Sequence, residues 1–192
     1  MSDRPYTGDE VGAKCSVISI HIEQLSQLFD SLDPSPFHKK DLDRDAAEYI
    51  VGSAQDLPRR APLGLVLKVD KPAGWKDEGR VVGDAVRDHF AREAMYTRRR
   101  LRTLLRRGWV SLVIGLAFLA LVAMTVTYIR RVSTGPLAAV LRESLLIGGW
   151  VAMWRPLETF LYDWWPIRGE LRLYERLSRL AVRIEYMAVS DG

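Results

Sequence analysis

Residues 14–22 (KCSVISIHI) alternate, with Ile18, Ile20 and Ile22 on one side, and this predicts a half-buried strand. The pattern then changes period. Ile22, Leu25, Leu28, Phe29 and Leu32 fall at helical spacing, so a helix is expected until DPSPF at 33–37, where Pro34 and Pro36 disfavour the α region for the residues before them. A second helix is expected from Asp45, with Glu48 three residues on as a capping pair and Tyr49, Ile50, Ser53, Ala54 and Leu57 as its inner stripe. APLGLVLKVD (61–70) predicts a second strand, and KPAGWKDEG (71–79) a loop with Trp75 at its tip, expected to fold back on the domain, with contact to a partner or membrane interface as the alternative.

From Val81 a narrow stripe of Val82, Val86, Phe90, Ala94, Thr97, Leu101 and Leu104 predicts a long helix, with Gly108 as a place where it could bend. The helix leads into Trp109–Ile129, a charge-free apolar run. At about 1.5 Å per residue those 21 residues reach roughly 31 Å, the thickness of a bilayer's hydrocarbon core. RRVSTGP (130–136) is a short turn, and Pro136 suits the first turn of the next helix. That helix is expected over 137–165 as a second span, ending before Pro166. The tail 167–192 reads as an amphipathic helix through Leu173, Leu177 and Leu180, followed by a strand in which Val182, Ile184 and Tyr186 alternate with Arg183 and Glu185.

A sheet of two strands is marginal alone. The C-terminal strand is therefore expected to join the N-terminal sheet, which makes the hairpin an insertion within one cytoplasmic domain. The expected organisation is a disordered segment at 1–13, an α/β domain (α+β in detail) at 14–107, the two transmembrane helices, and a tail packed on the N-terminal domain. Helix predominates overall.

Composition adds direction. The formal net charge is +4, and Arg outnumbers Lys 22 to 6, a bias that fits a GC-rich bacterial genome. Six arginines, Arg98, Arg99, Arg100, Arg102, Arg106 and Arg107, immediately precede the first span. The positive-inside rule puts them in the cytoplasm, where they are candidate contacts for anionic lipid. Their adjacency to a span accounts for them, and no nucleic-acid-binding motif accompanies them, so no nucleic-acid partner is expected. The N-terminus carries Asp3, Asp9 and Glu10 without an apolar core, unlike a signal peptide. Both termini are expected in the cytoplasm of a bacterium, with the hairpin in its inner membrane. Cys15, the sole cysteine, allows no intrachain disulfide.

The second span is the unusual element, because it holds Arg155, Pro156, Glu158 and Asp163. A mid-membrane arginine costs about 2.5–3.5 kcal/mol on insertion scales. Arg155 and Glu158 are three apart on a helix and can neutralise each other. Either they pack or lie at the membrane edge, or they line a path, which two spans could enclose only in an oligomer. Trp109, Trp164 and Trp165 are the expected interfacial anchors. Gly148 and Gly149 allow close helix approach.

No catalytic signature appears. Asp41, Asp43 and Asp45 are spaced as in a calcium loop, but Ala46 replaces its glycine and Gly52 its bidentate glutamate. His21, His38 and His89 lack metal-site spacing, and there is no phosphate loop or nucleophile elbow. No cofactor is expected. SLDPSPFHKKDLDRDAAEYI and LLIGGWVAMWRPLETFLYDWWPIR resemble segments of small bacterial two-span inner-membrane proteins with a cytoplasmic head. That resemblance implies an inner-membrane location and supplies no catalytic residues. Trp154-Arg155-Pro156-Leu157-Glu158 is distantly similar to the pore motif of calcium-uniporter channels, but has Arg where that motif is acidic. The expected function is a non-enzymatic scaffold or accessory subunit, homo-oligomeric or part of a membrane complex. The alternative is a small homo-oligomeric channel or transporter subunit that uses the charges of the second span.

Overall fold

The structure is a computed structural model; it describes residues 6–12, 14–29, 41–58, 61–72, 74, 77–132 and 135–187, with the side chain of Arg155 outside that set. Among them are four strands, β1 (Tyr6–Gly8), β2 (Ser16–Gln24), β3 (Leu63–Lys71) and β4 (Ala181–Tyr186). Four α-helices accompany them, α1 (Arg44–Asp56), α2 (Glu78–Val132), α3 (Pro136–Glu158) and α4 (Trp164–Leu177). The chain divides into two compact units: a head of residues 1–96 with 171–192, and a helical unit of 97–170. The fold is α+β and mostly helical.

The head is built on one mixed sheet in the order β1-β4-β3-β2. β2 and β4 both run parallel to β3, and β1 closes the far edge antiparallel to β4. The C-terminal strand thus joins the N-terminal sheet, as the marginality of two strands requires. Register places like with like: Ile18 faces Leu65, Ile20 faces Leu67, and on the other side Val182 pairs with Leu65 and Ile184 with Leu67. β3 lies inside the sheet, and Leu63–Leu67 are all buried; beyond them the strand alternates, with Val69 buried and Lys68 exposed. On its core side Leu65, Leu67 and Val69 are fully buried with Val82, Val86 and Phe90 of α2, Ile50 of α1, and Leu177 and Leu180.

Four sequence expectations are corrected. First, Tyr6–Gly8, within the stretch assigned to disorder, form β1. Asp9 clamps this segment to the head: its N–H donates to the carbonyl of Val182 at 2.8 Å, and its carboxylate accepts from Val182 N and from Arg87. Second, no long helix follows Ile22. β2 continues to Gln24 because its backbone pairs with β3 as far as Lys71, and a single 3-10 turn, Leu25–Leu28, follows. Leu25 and Leu28, three apart, lie on one side of a three-residue turn as well as of an α-helix, so their spacing fits both. Third, the N-cap of α1 is Asp43, whose carboxylate accepts from the N–H groups of Asp45 and Ala46. The buried stripe is also narrower than expected: Ile50 and Ala54 are buried while Tyr49 is exposed. Fourth, the last long helix does not stop before Pro166, which lies inside α4. Leu32, Trp75 and His38 lie outside the described residues.

The start of α2 is held by two glycines in close approach. A Cβ on Gly79 would fall on the N and Cα of Gly8, and Gly8 itself has φ +106°. Beside them, buried Glu78 accepts a short hydrogen bond from the Tyr186 hydroxyl, and burial followed by that bond pushes the Tyr186 hydroxyl's pKa up. Gly79→Val must therefore part β1 from α2. It is expected to cost about 1–3 kcal/mol, read as a lower thermal midpoint of the detergent-solubilised chain; an unchanged midpoint would show that this contact is dispensable.

Candidate functional site

Buried residues of the helical unit fall at a repeat of seven: Gly108, Gly115 and Val122 on α2, and Gly149 and Pro156 on α3. Ala138 on α3 and Thr159 in the turn after it are buried too. Seven-residue spacing keeps one seam facing a partner helix. The contacts confirm it: a Cβ built on Gly115 would stand 3.2 Å from Met153 Sδ and 3.6 Å from Pro156 Cγ. One built on Gly149 would stand 3.1 Å from Leu119 Cδ1, and one on Gly108 2.9 Å from Thr159 Cγ2. Small residues let two backbones approach where both flanks are apolar. Of the two adjacent glycines, Gly149 is in the seam, while Gly148 meets nothing within 4 Å.

Below the seam the helix widens into a π-turn, Thr159–Asp163, before α4. Pro166 explains the widening, since it has no N–H to offer Leu161 or Tyr162 and an α-helical ladder fails there. Trp164 Nε1 donates to the carbonyl of Phe160 at 2.7 Å, satisfying a group in the disturbed stretch. The Phe160 ring also meets Trp109 edge-to-face, with centroids 5.9 Å apart at 78°, and the Arg168 guanidinium lies 5.4 Å above the Trp164 ring. Two of the expected anchors, Trp109 and Trp164, therefore converge on Phe160. Trp165 is 72% exposed.

Between this aromatic cluster and the turn at the other end, the outward faces are apolar and uncovered. Two helices are long and apolar enough to cross a membrane, and only 11% of each one's apolar window is buried. The core helix of a soluble protein would be mostly buried. Val113, Ile114, Leu121 and Met124 on α2, with Ile147, Trp150, Val151 and Trp154 on α3, are all at least 60% exposed. Thr125 and Thr127 hide their hydroxyls by donating to the carbonyls of Leu121 and Ala123 in their own helix.

The six arginines occupy the α2 segment before Trp109, and all six are exposed. Arg106 and Arg107 line an open groove of about 480 Å³ with Thr103, Val110, Ser111 and Ile114, whereas Arg98, Arg99, Arg100 and Arg102 do not line it. Glu158 is half-buried in the last turn of α3. The side chain of Arg155 lies outside the described residues, so the expected Arg155–Glu158 pair does too. Arg142 falls on the seam repeat, between Ala138 and Gly149, and is half-buried.

In the head, the acidic run before α1 does not gather around a common centre. Asp43 caps α1, and Asp41 accepts from His89 Nδ1 at 3.1 Å and, by a short bond, from Arg92. Partial burial works to raise the Asp41 pKa, but the hydrogen bonds from His89 and Arg92 outweigh it and hold the carboxyl below its usual range. Among the described residues no group of three or more His, Cys, Asp or Glu could hold a metal ion. Sequence reasoning overlooked Gly115, Thr159 and Phe160, and it named Gly108 as a place for a bend rather than as a seam residue, whereas α2 runs through Gly108 as one helix. The seven-residue repeat of Gly108, Gly115 and Val122 was the available signal. Neither family models, curated proteins nor solved structures give a match to this chain.

Proposed function

We propose that the chain is a bacterial inner-membrane protein whose hairpin crosses the bilayer twice and holds the α+β head in the cytoplasm. It serves as a non-enzymatic scaffold or accessory subunit, as a homo-oligomer or within a larger complex. The observation that carries this reading is the pair of long apolar helices whose windows are only 11% buried, because water is a poor solvent for so much apolar surface. The arginines beside Trp109 favour a cytoplasmic position for that end of the hairpin. Taking Trp109 and Trp164 as the belt, Glu158 is about 9 Å and Arg155 about 13 Å further along the helix. Their spacing of three on the helix allows the two charges to neutralise each other, and this supports a packing role for the pair rather than a path.

Two measurements test the proposal. The chain is expected to stay with the membrane through alkaline carbonate washing and to leave it only in detergent. Cys15, half-buried in the head, is expected to react with an impermeant maleimide in permeabilised spheroplasts but not in intact ones. Release by carbonate overturns the membrane assignment, and labelling in intact cells overturns the orientation. Ion flux in liposomes that is abolished by Glu158→Gln would replace the scaffold with the homo-oligomeric channel.

A further inference from the structure

The groove on α2 joins two chemistries along one helix face. Thr103, Arg106, Arg107, Val110, Ser111 and Ile114 follow one another at offsets of 3, 4, 7, 8 and 11 from the first, which keeps all six on one side of the helix. The order matters. The cationic and hydroxyl-bearing positions Thr103, Arg106 and Arg107 come first, and the exposed apolar side chains Val110 and Ile114 follow one to two turns further on, with Ser111 between them. Thr103 directs its hydroxyl hydrogen to the carbonyl of Arg99, which leaves lone pairs outward but no proton, so the donors to a ligand are the two guanidinium groups and Ser111. Among the described residues neither Arg106 nor Arg107 makes a salt bridge, whereas Arg80, Arg87 and Arg92 in the earlier part of the same helix each hold a carboxylate.

We infer that this groove binds one anionic phospholipid, with its phosphate on Arg106 and Arg107 and its acyl chains along Val110 and Ile114. The inference rests on the membrane reading above and adds to it a specific partner and place. Planar guanidinium groups suit bidentate contact with phosphate oxygens. Charge complementarity selects an anionic headgroup, and the apolar continuation selects a lipid over a free phosphate, which would leave Val110 and Ile114 uncovered. The Arg99–Arg100 pair has the same charge without the groove, so it supplies the control.

The test uses the full chain in detergent with defined lipid, read by native mass spectrometry against phosphatidylglycerol and phosphatidylcholine. One equivalent of phosphatidylglycerol is expected to be retained in preference to phosphatidylcholine. Arg106→Gln with Arg107→Gln is expected to weaken that retention on the order of tenfold or more, and Arg99→Gln with Arg100→Gln, an equal loss of charge, to weaken it much less. Equal weakening by both double variants would show a diffuse charge effect and overturn the groove. Displacement of the lipid by millimolar inorganic phosphate would show that the acyl contacts contribute nothing and overturn the lipid. Carbonate extraction of the same variants keeps the two ideas separate. A wild-type chain that resists extraction but shows no lipid preference refutes the groove alone, and a wild-type chain that is extracted refutes the membrane reading.

Discussion

A chain ending at Glu170 is expected to leave the head unfolded. The missing segment contains β4, which lies between β1 and β3, so its loss deprives both neighbours of a partner at once. It also removes Leu177, Leu180, Val182 and Ile184, each at most 1% exposed. Burial of side chains of this size contributes about 1.5–3 kcal/mol each, so the four together match the net stability of about 5–15 kcal/mol typical of a whole domain. Arg176 is lost as well, and with it two hydrogen bonds of 2.9 Å to the carbonyls of Pro58 and Ala61, which tie down the approach to β3. The measurement is amide exchange along β3 in detergent. Protection of Leu65, Leu67 and Val69 is expected to vanish in the shortened chain, and retained protection would show that β2 and β3 stand without β4.

Phe90→Ala is expected to be the most damaging single substitution in the head. Phe90 is fully buried and among the largest side chains in the core. It stacks on Tyr174 of α4 with centroids 6.4 Å apart and 20° between planes, and it takes the His89 ring edge-on at 5.2 Å. One ring thus fills the space shared by α2, α4 and the sheet. Truncating it removes the transfer energy of the ring and leaves a cavity among side chains that are themselves fixed, a cost of about 3–5 kcal/mol. Exchange of the slowest β3 amides in the full chain should quicken by roughly two to four orders of magnitude. A change under tenfold would mean that the core relaxes into the space.

The long-period features of the chain were readable from sequence. β2 and β3 show as alternation and a continuous apolar run, and the apolar stripe from Val82 to Thr97 predicts the buried face of α2, all of whose members are buried. Short elements were not readable, for reasons of length. β1 has three residues, and what places it is not its own pattern but Asp9 and the paired glycines Gly8 and Gly79, which meet from far apart in the chain. Leu25 and Leu28 satisfy two helical periods equally, so only the backbone pairing of β2 decides between them. Pro166 reads as a terminator by every local rule. The π-turn that lets the helix continue costs one residue of register, and nothing in the side-chain pattern advertises it. In the hairpin the apolar runs announce two long helices but not which sides of them meet. That information lies in the seven-residue repeat of small residues, which hydropathy does not register because glycine and alanine count as weakly apolar wherever they fall.

The strand order has a consequence for biosynthesis. Between Lys71 at the end of β3 and Ala181 at the start of β4 lies the whole helical unit. At about 5–20 residues per second the ribosome delivers β4 roughly 5–20 s after β3 is complete. Until then the sheet has an open side where Leu65, Leu67 and Val69 await Val182, Ile184 and Tyr186. Under the proposed double crossing, β4 would return to the side of the head only after an even number of crossings, and a failed crossing would leave the sheet open at β3. Closure of the head would in that case act as a parity check on insertion of the hairpin.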